Sequence, residues 1–142
     1  MSAEEMGSAA LALQQALFAR LGGDAALAAK LGAGRVYDAV PEGAALPFAV
    51  LGDSEEADLS ASELCLARHE GQVSFWSKAA GRAEVKELLS LARTALLAAP
   101  LDIAPFRLVD FTLPRAEVAL AEKNSRREGR LFWRALVETP QS

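Results

Sequence analysis

The chain has 142 residues, of which 51% are hydrophobic and 24% charged, with a formal net charge of −4; these values predict one folded globular domain over residues 1–142 and exclude a disordered chain. Lysine and arginine dominate no long segment, which disfavours a tight nucleic-acid binder, because such proteins draw most of their affinity from phosphate neutralisation. The single cysteine excludes an intrachain disulfide. No apolar run approaches the ~20 residues of a membrane span, and Met1–Gly7 does not resemble a signal peptide. We therefore expect a cytosolic protein.

Two helices are predicted at the start of the chain. In "SAALALQQALFARLGG", Ser8 is the expected N-cap and Gly22–Gly23 the expected left-handed stop. The apolar stripe between them consists of Ala10, Leu13, Leu17 and Leu21. Asp24 is then expected to cap a shorter helix, "AALAAKL", which ends at Gly32.

Two short strands follow these helices. "RVYDAVP" is closed by Pro41, and "FAVLGD" begins after Pro47. Since only a few residues separate the two segments, we expect a hairpin-like pair. The next segment, "DSEEADLSAS", is acidic and rich in small residues, which predicts a solvated loop.

A strand and the second long helix come next. The strand starts near Ala67, and the change of apolar parity at Gly71 predicts a bulge or strand start there before Val73 and Phe75. The helix covers roughly residues 82–98 and is stopped by Pro100. Its apolar face consists of Val85, Leu88, Leu89, Ala92, Ala95 and Leu96.

Two strands are predicted to complete the domain. In "FRLVDFTLPRAEVAL", the inward residues Val109, Phe111 and Leu113 change to Ala116, Val118 and Leu120 after Pro114, which predicts a bulged edge strand. In "RLFWRALVE", the inward residues are Leu131, Trp133, Ala135 and Val137, and Arg130, Phe132 and Arg134 point outward. The order predicts an α+β fold, a mainly antiparallel sheet with two main helices packed on one face.

Catalytic chemistry is poorly supported by the sequence. His69 is the only histidine, and in a strand it would lie about 13 Å from Cys65, too far for a nucleophile pair. We therefore expect a surface histidine and a buried apolar cysteine. The acidic residues Asp53, Glu55, Glu56 and Asp58 do not follow the spacing of a calcium loop. We predict no catalytic, cofactor-binding or metal-binding residue and no enzymatic activity.

Two groups of residues are candidates for a protein interface. "EKNSRREGR" predicts a hairpin tip that contains Lys123, Arg126, Arg127 and Arg130 and is either a solvated turn or an arm that reaches a neighbouring subunit. Its acidic counterpart would be Glu55 and Glu56. Phe132, between Arg130 and Arg134, is an exposed aromatic of the kind that interfaces use, unless a helix covers it.

Three segments resemble the tail-completion family of long-tailed phages and gene transfer agents: "GRVYDAVPEGAALPFAVLGD" (34–53), "VSFWSKAAGRAEVKELL" (73–89) and the final "RLFWRALVE". The resemblance implies a structural protein without a cofactor. It implies a ring, hexameric in similar proteins, that caps the tail tube, ends its polymerisation and joins the tail to the head connector. Its partners would be further copies of itself, the tail tube protein and the connector, with DNA only as passing cargo and no membrane contact. Assembly in the cytoplasm would be followed by residence at the head–tail junction.

Two alternatives remain open at this stage. The first is another neck component, a head–tail stopper or adaptor, which contacts the portal side and not the tube. The second is a small cytosolic enzyme or ligand-binding α+β domain, which the missing constellation of titratable groups disfavours.

Overall fold

The computed structural model describes residues 3–78, 80–121 and 126–140. Its elements are α1 (Ala3–Gly22), α2 (Ala25–Leu31), β1 (Val36–Tyr37), β2 (Phe48–Asp58), β3 (Leu66–Ser77), α3 (Ala83–Leu97), β4 (Arg107–Ala121) and β5 (Arg126–Glu138). The strands form one sheet in the order β1-β2-β3-β5-β4, and every neighbouring pair except β1–β2 is antiparallel. The helices pack on one face of this sheet, so the predicted α+β fold is confirmed.

Helix α1 begins earlier than predicted. The chain is already helical at Ala3, and Ser8 lies inside the helix instead of capping it, because "AEEM" consists of good helix formers. The buried stripe is Ala9, Leu13, Leu17 and Leu21, while Ala10 is half-buried. Gly23 follows the helix without adopting a left-handed conformation. Its N–H donates to the Ala19 carbonyl oxygen at 2.9 Å, and a Cβ at Gly23 would lie too close to the same oxygen.

Helix α2 forms as predicted. The Asp24 carboxylate accepts a hydrogen bond from the Leu27 N–H at 2.9 Å, and Gly32, with φ of 97°, ends the helix. Leu27 and Leu31 are both buried beneath it.

Strands β1 and β2 differ from the predicted hairpin-like pair, since they run parallel with Val36 opposite Ala49. The connection of residues 38–47 is long enough to carry the chain back to the starting end before β2 begins. Strand β2 also continues through the predicted acidic loop to Asp58, pairing with β3 as far as Ala67. Backbone pairing needs no apolar side chains, so the polar composition of this segment did not reveal the strand.

The bulge predicted at Gly71 lies instead in the neighbouring strand, between Leu51 and Ser54 of β2. Gly71 serves a different purpose, because a Cβ there would lie 2.6 Å from the Trp133 side chain. The pairing of β3 with β5 runs through Gly71 without interruption.

Strand β4 is the predicted edge strand and has the predicted bulge around Pro114, between Thr112 and Arg115. A second bulge between Leu108 and Asp110 turns Val109 outward, so the prediction that Val109 is a core residue is wrong. Beyond Pro114 the predicted inward face is also largely wrong: Ala116 and Leu120 are exposed, and Val118 is half-buried. An edge strand has one neighbour only, and its far end lies beyond the helices' cover.

The core lies between α3 and the two central strands. All six apolar residues predicted for α3 are buried, as are the predicted inward residues of β3 and β5. Arg20 joins α1 to the end of α3, since its guanidinium donates to the carbonyl oxygens of Ala95, Leu96, Ala99 and Pro100 at 2.9–3.4 Å. None of the helices in the described residues combines the length and the hydropathy that crossing a bilayer requires.

Candidate assembly surfaces

The sheet face opposite the helices, called here the open face, carries charged side chains that pair with one another. Arg130 donates to Glu117 at 3.0 Å and to Glu128 at 2.9 Å, and the bond to Glu128 raises the pKa of the arginine. Glu128 is nearly buried. Arg130 therefore fastens β4 to β5 and is not the tip cation that the sequence predicted.

Phe132 and Arg134 also lie on the open face, as predicted. The Arg115 guanidinium lies over the Phe132 ring, 4.1 Å from its centroid, so the aromatic is covered by a cation and not by a helix. Arg134 approaches Glu70 at 3.6 Å, and Glu70 also binds Arg68 at 2.7 Å.

An open groove crosses this face from β2 to β4. Its lining residues are Asp53, Ser54, Glu55, Glu70, Gly71, Gln72, Pro114, Arg115, Phe132, Trp133 and Arg134. Carboxylates line the β2 side and arginines the β4 side, and no described lining residue is a histidine or cysteine. A groove with carboxylates on one side and arginines on the other suits a polar protein contact.

The segment from Asp53 to Glu70, called here the acidic arm, holds the chain's excess negative charge. It contains six carboxylates and one arginine, a net charge of −5, so the remaining residues carry +1 of the chain's total of −4. At its tip Leu59 and Leu64 are 43% and 45% exposed. The arm therefore combines an acidic edge with an apolar end.

Glu55 and Glu56, predicted as one patch, point to opposite faces of the sheet. Glu55 is paired across the strands with Glu70 on the open face, whereas Glu56 is paired with His69. The His69 Nδ1 lies 3.6 Å from a Glu56 carboxylate oxygen.

His69 is 2% exposed, so the prediction of a surface histidine is wrong. It shares strand parity with the buried Ala67 and Val73, and this signal was present in the sequence. Burial lowers the pKa of His69, and the charge of Glu56 opposes that shift. Its Nε2 is buried and has no hydrogen-bond partner among the residues that the structure describes. Cys65, expected to be buried, is partly exposed.

Arg126 and Arg127 open strand β5 and are not part of a loop. The Arg127 guanidinium donates to the Ala80 carbonyl at 3.0 and 3.3 Å, which braces the turn between β3 and α3. Ser77 supports the same turn by donating to the Glu84 carboxylate. Lys123 lies outside the described residues.

A row of cations along α3 was not predicted from the sequence. The α3 cationic stripe, as it is called here, consists of Arg82 at the N-cap and of Lys86 and Arg93 within the helix, all three exposed beside the buried face. Among the residues that the structure describes, none of the three has an ion-pair partner. Their spacing of four and seven residues is a helical signal that a wheel projection detects.

In the described part of the chain, no group of three or more histidine, cysteine, aspartate or glutamate residues is arranged to hold a metal ion.

Two comparisons with known proteins returned matches. Residues 15–138 match the family model described as tail completion protein gp17. Among the 19 matching chains in solved structures, one belongs to a structure titled "Virion of native gene transfer agent (GTA) particle". It is 37% identical, with a TM-score of 0.83, and the match covers 92% of this chain and 97% of that one. The comparison with curated protein sequences returned no match.

Proposed function

The chain belongs to the tail completion protein gp17 family and is a structural tail-completion protein, and from this premise we propose that it forms a ring that caps the tail tube of a phage-like particle. The ring ends tube polymerisation and presents its other side to the head connector. The observation that carries this proposal is the family match over residues 15–138, together with 37% identity to a chain of a gene transfer agent virion.

Side-chain hydrogen bonds that join the elements of the subunit support this role. A ring of identical subunits uses one head-to-tail contact repeated around an axis, and it closes only if each subunit holds its angle. The four carbonyl contacts of Arg20 fix α1 against α3, and Arg127 and Ser77 brace the turn that leads into α3. The strand-to-helix turn therefore has a mechanical purpose and needs no catalytic group.

The proposed partners are further copies of this chain, the tail tube protein and the head connector. DNA passes through the ring as cargo, and the net charge of −4 suits a passage to which phosphates do not adhere. We place the protein in the cytoplasm during assembly and at the head–tail junction afterwards.

Deletion of the gene in a particle-producing strain tests the proposal. Electron microscopy should then show overlong or headless tubes, and the wild-type gene supplied in trans should restore normal tails. Tubes of normal length beside heads that leak DNA would contradict a terminator and indicate a stopper or adaptor. Normal particles from the deletion strain would rule out both roles.

A further inference from the structure

We propose that neighbouring copies contact each other through the acidic arm of one and the α3 cationic stripe of the next. The inference rests on the proposed ring and assigns the surfaces that close it. The acidic arm has a net charge of −5 and the α3 cationic stripe consists of three exposed cations, so the two surfaces carry opposite charge.

Each surface contains charged residues that form no ion pair among the described residues of one subunit. Asp53 and Glu55 are exposed and form no ion pair among the described residues, and the same holds for Lys86 and Arg93. Most other cations of the described chain bind a carboxylate or a carbonyl, as Lys30 binds Glu87 at 2.7 Å. A second copy supplies the missing partners without disturbing any bond that the subunit already makes.

The two surfaces lie on opposite sides of the subunit. Glu87 of α3 faces α2 through its bridge to Lys30. At about 100° per residue, the cationic stripe lies on the other side of the buried helical face. Glu55 of the acidic arm points to the open face of the sheet, whereas α3 packs on the opposite face. Surfaces on opposite sides cannot meet within one subunit, but they meet in a head-to-tail ring.

The two surfaces also match in length and in the order of their groups. From Arg82 to Leu97 the helix rises about 22 Å at 1.5 Å per residue, and from Asp53 to Leu59 the strand spans about 20 Å at 3.3 Å per residue. Each begins with charged residues and ends with an exposed leucine, Leu97 on α3 and Leu59 at the arm's tip. This shared order orients the contact, with leucine against leucine and carboxylates against cations.

Charge reversal tests the contact in cells that make the particle but lack the gene. The arm variant, Asp53→Lys with Glu55→Lys, and the stripe variant, Lys86→Glu with Arg93→Glu, should each lower particle titre about tenfold or more, because juxtaposed like charges weaken an interface. Co-expression of the two variants should restore particles, since alternating subunits again place opposite charges at every contact. The four substitutions in one chain should restore them too.

The control is Lys30→Glu with Glu87→Lys, which exchanges the charges of a bridge on the other side of α3 and should leave titre unchanged. All variants alter exposed residues, so their unfolding midpoints should stay close to wild type. A variant that unfolds is replaced by its neutral form, which is Asp53→Asn with Glu55→Gln for the arm or Lys86→Gln with Arg93→Gln for the stripe. The neutral forms should lower the particle titre less than the charge reversals do.

Two results would overturn the contact: a wild-type titre from either reversal, or a loss of titre that co-expression does not restore. If only the stripe variant is defective, the cations bind DNA or another protein instead. If the wild-type gene itself fails to restore particles, the proposed function fails instead.

Discussion

At the residue scale, Gly71 explains how the central strands approach each other. The Trp133 side chain, 6% exposed, crosses directly over this position. A Cβ at Gly71 would lie 2.6 Å from one ring carbon of Trp133 and 3.0 Å from the Ser54 Cβ. The missing side chain therefore allows Trp133 to pack closely against β3.

We expect Gly71→Ala to lower the free energy of unfolding by about 1–3 kcal/mol, the usual effect of overpacking a core. The matched control is Gly81→Ala, where no atom lies within 4 Å of the added Cβ and stability should change by less than about 0.5 kcal/mol. Urea denaturation measures both. Equal midpoints for the two variants would show that Trp133 moves aside freely.

His69 makes stability depend on pH in a defined direction. Burial lowers its pKa below the ordinary 6.5 in the folded state, so between the two values the unfolded chain binds more protons. Stability should therefore be complete above about pH 7 and fall as the pH drops through about 6.5. Thermal unfolding of His69→Gln should depend less on pH over this range. Glu56→Gln removes a charge that raises the pKa of His69, so this variant should lose more stability at low pH than the wild type. An unchanged pH profile in both variants would show that His69 does not cause the pH dependence.

At the element scale, helices and the central strand could be predicted, whereas strand pairing could not. The six buried residues of α3 and the alternation in β5 follow from local periodicity, and both are confirmed. The parallel direction of β1 and the extension of β2 depend on pairing partners that no local pattern encodes. The bulge between Leu108 and Asp110, which turns Val109 outward, likewise depends on strand pairing and could not be predicted from local pattern. In the candidate site, the alternation of β5 correctly predicted that Phe132 and Arg134 point away from the helices. The ion pair of Arg130 with Glu117 could not be predicted, because it depends on the register between β4 and β5.

The attachment of α1 to α3 is the element-scale interaction that one side chain controls. Arg20 supplies hydrogen bonds to carbonyls at the end of α3, which the helix cannot satisfy itself. Arg20→Met keeps most of the apolar stem and removes the donors, so it should lower the free energy of unfolding by about 1–3 kcal/mol. Lys86→Met, an exposed cation of α3 without an ion pair in the described structure, is the control and should be nearly neutral. Equal stability of the two variants would show that water replaces the arginine.

At the scale of the whole molecule, charge is separated along the sheet. The acidic arm lies at one end of β3, and Arg126, Arg127 and the start of α3 lie at the other end. Strand β3 covers 12 residues, about 36 Å between its ends at 3.3 Å per residue, which exceeds the Debye length of about 8 Å at physiological salt. The two ends therefore do not neutralise each other in one subunit, and each is available to a partner.

The last prediction concerns the cations at the start of β5, which the sequence analysis placed opposite Glu55 and Glu56. Reversing Arg126 and Arg127 to glutamate should give folded protein that fails to cap tails, which leaves overlong or headless tubes in electron micrographs. Reversing Glu55 and Glu56 to lysine in the same chain should then partly restore capping. Because Arg127 also braces the turn at Ala80, Arg126→Glu alone is the cleaner variant, and Arg127→Gln is its control, expected to lower stability but not capping. Arg126 lies beside the turn that leads into α3, so the same acidic arm could reach both groups of cations. Normal tails from Arg126→Glu, together with a defect in the stripe variant, would confine the cationic side of the contact to α3.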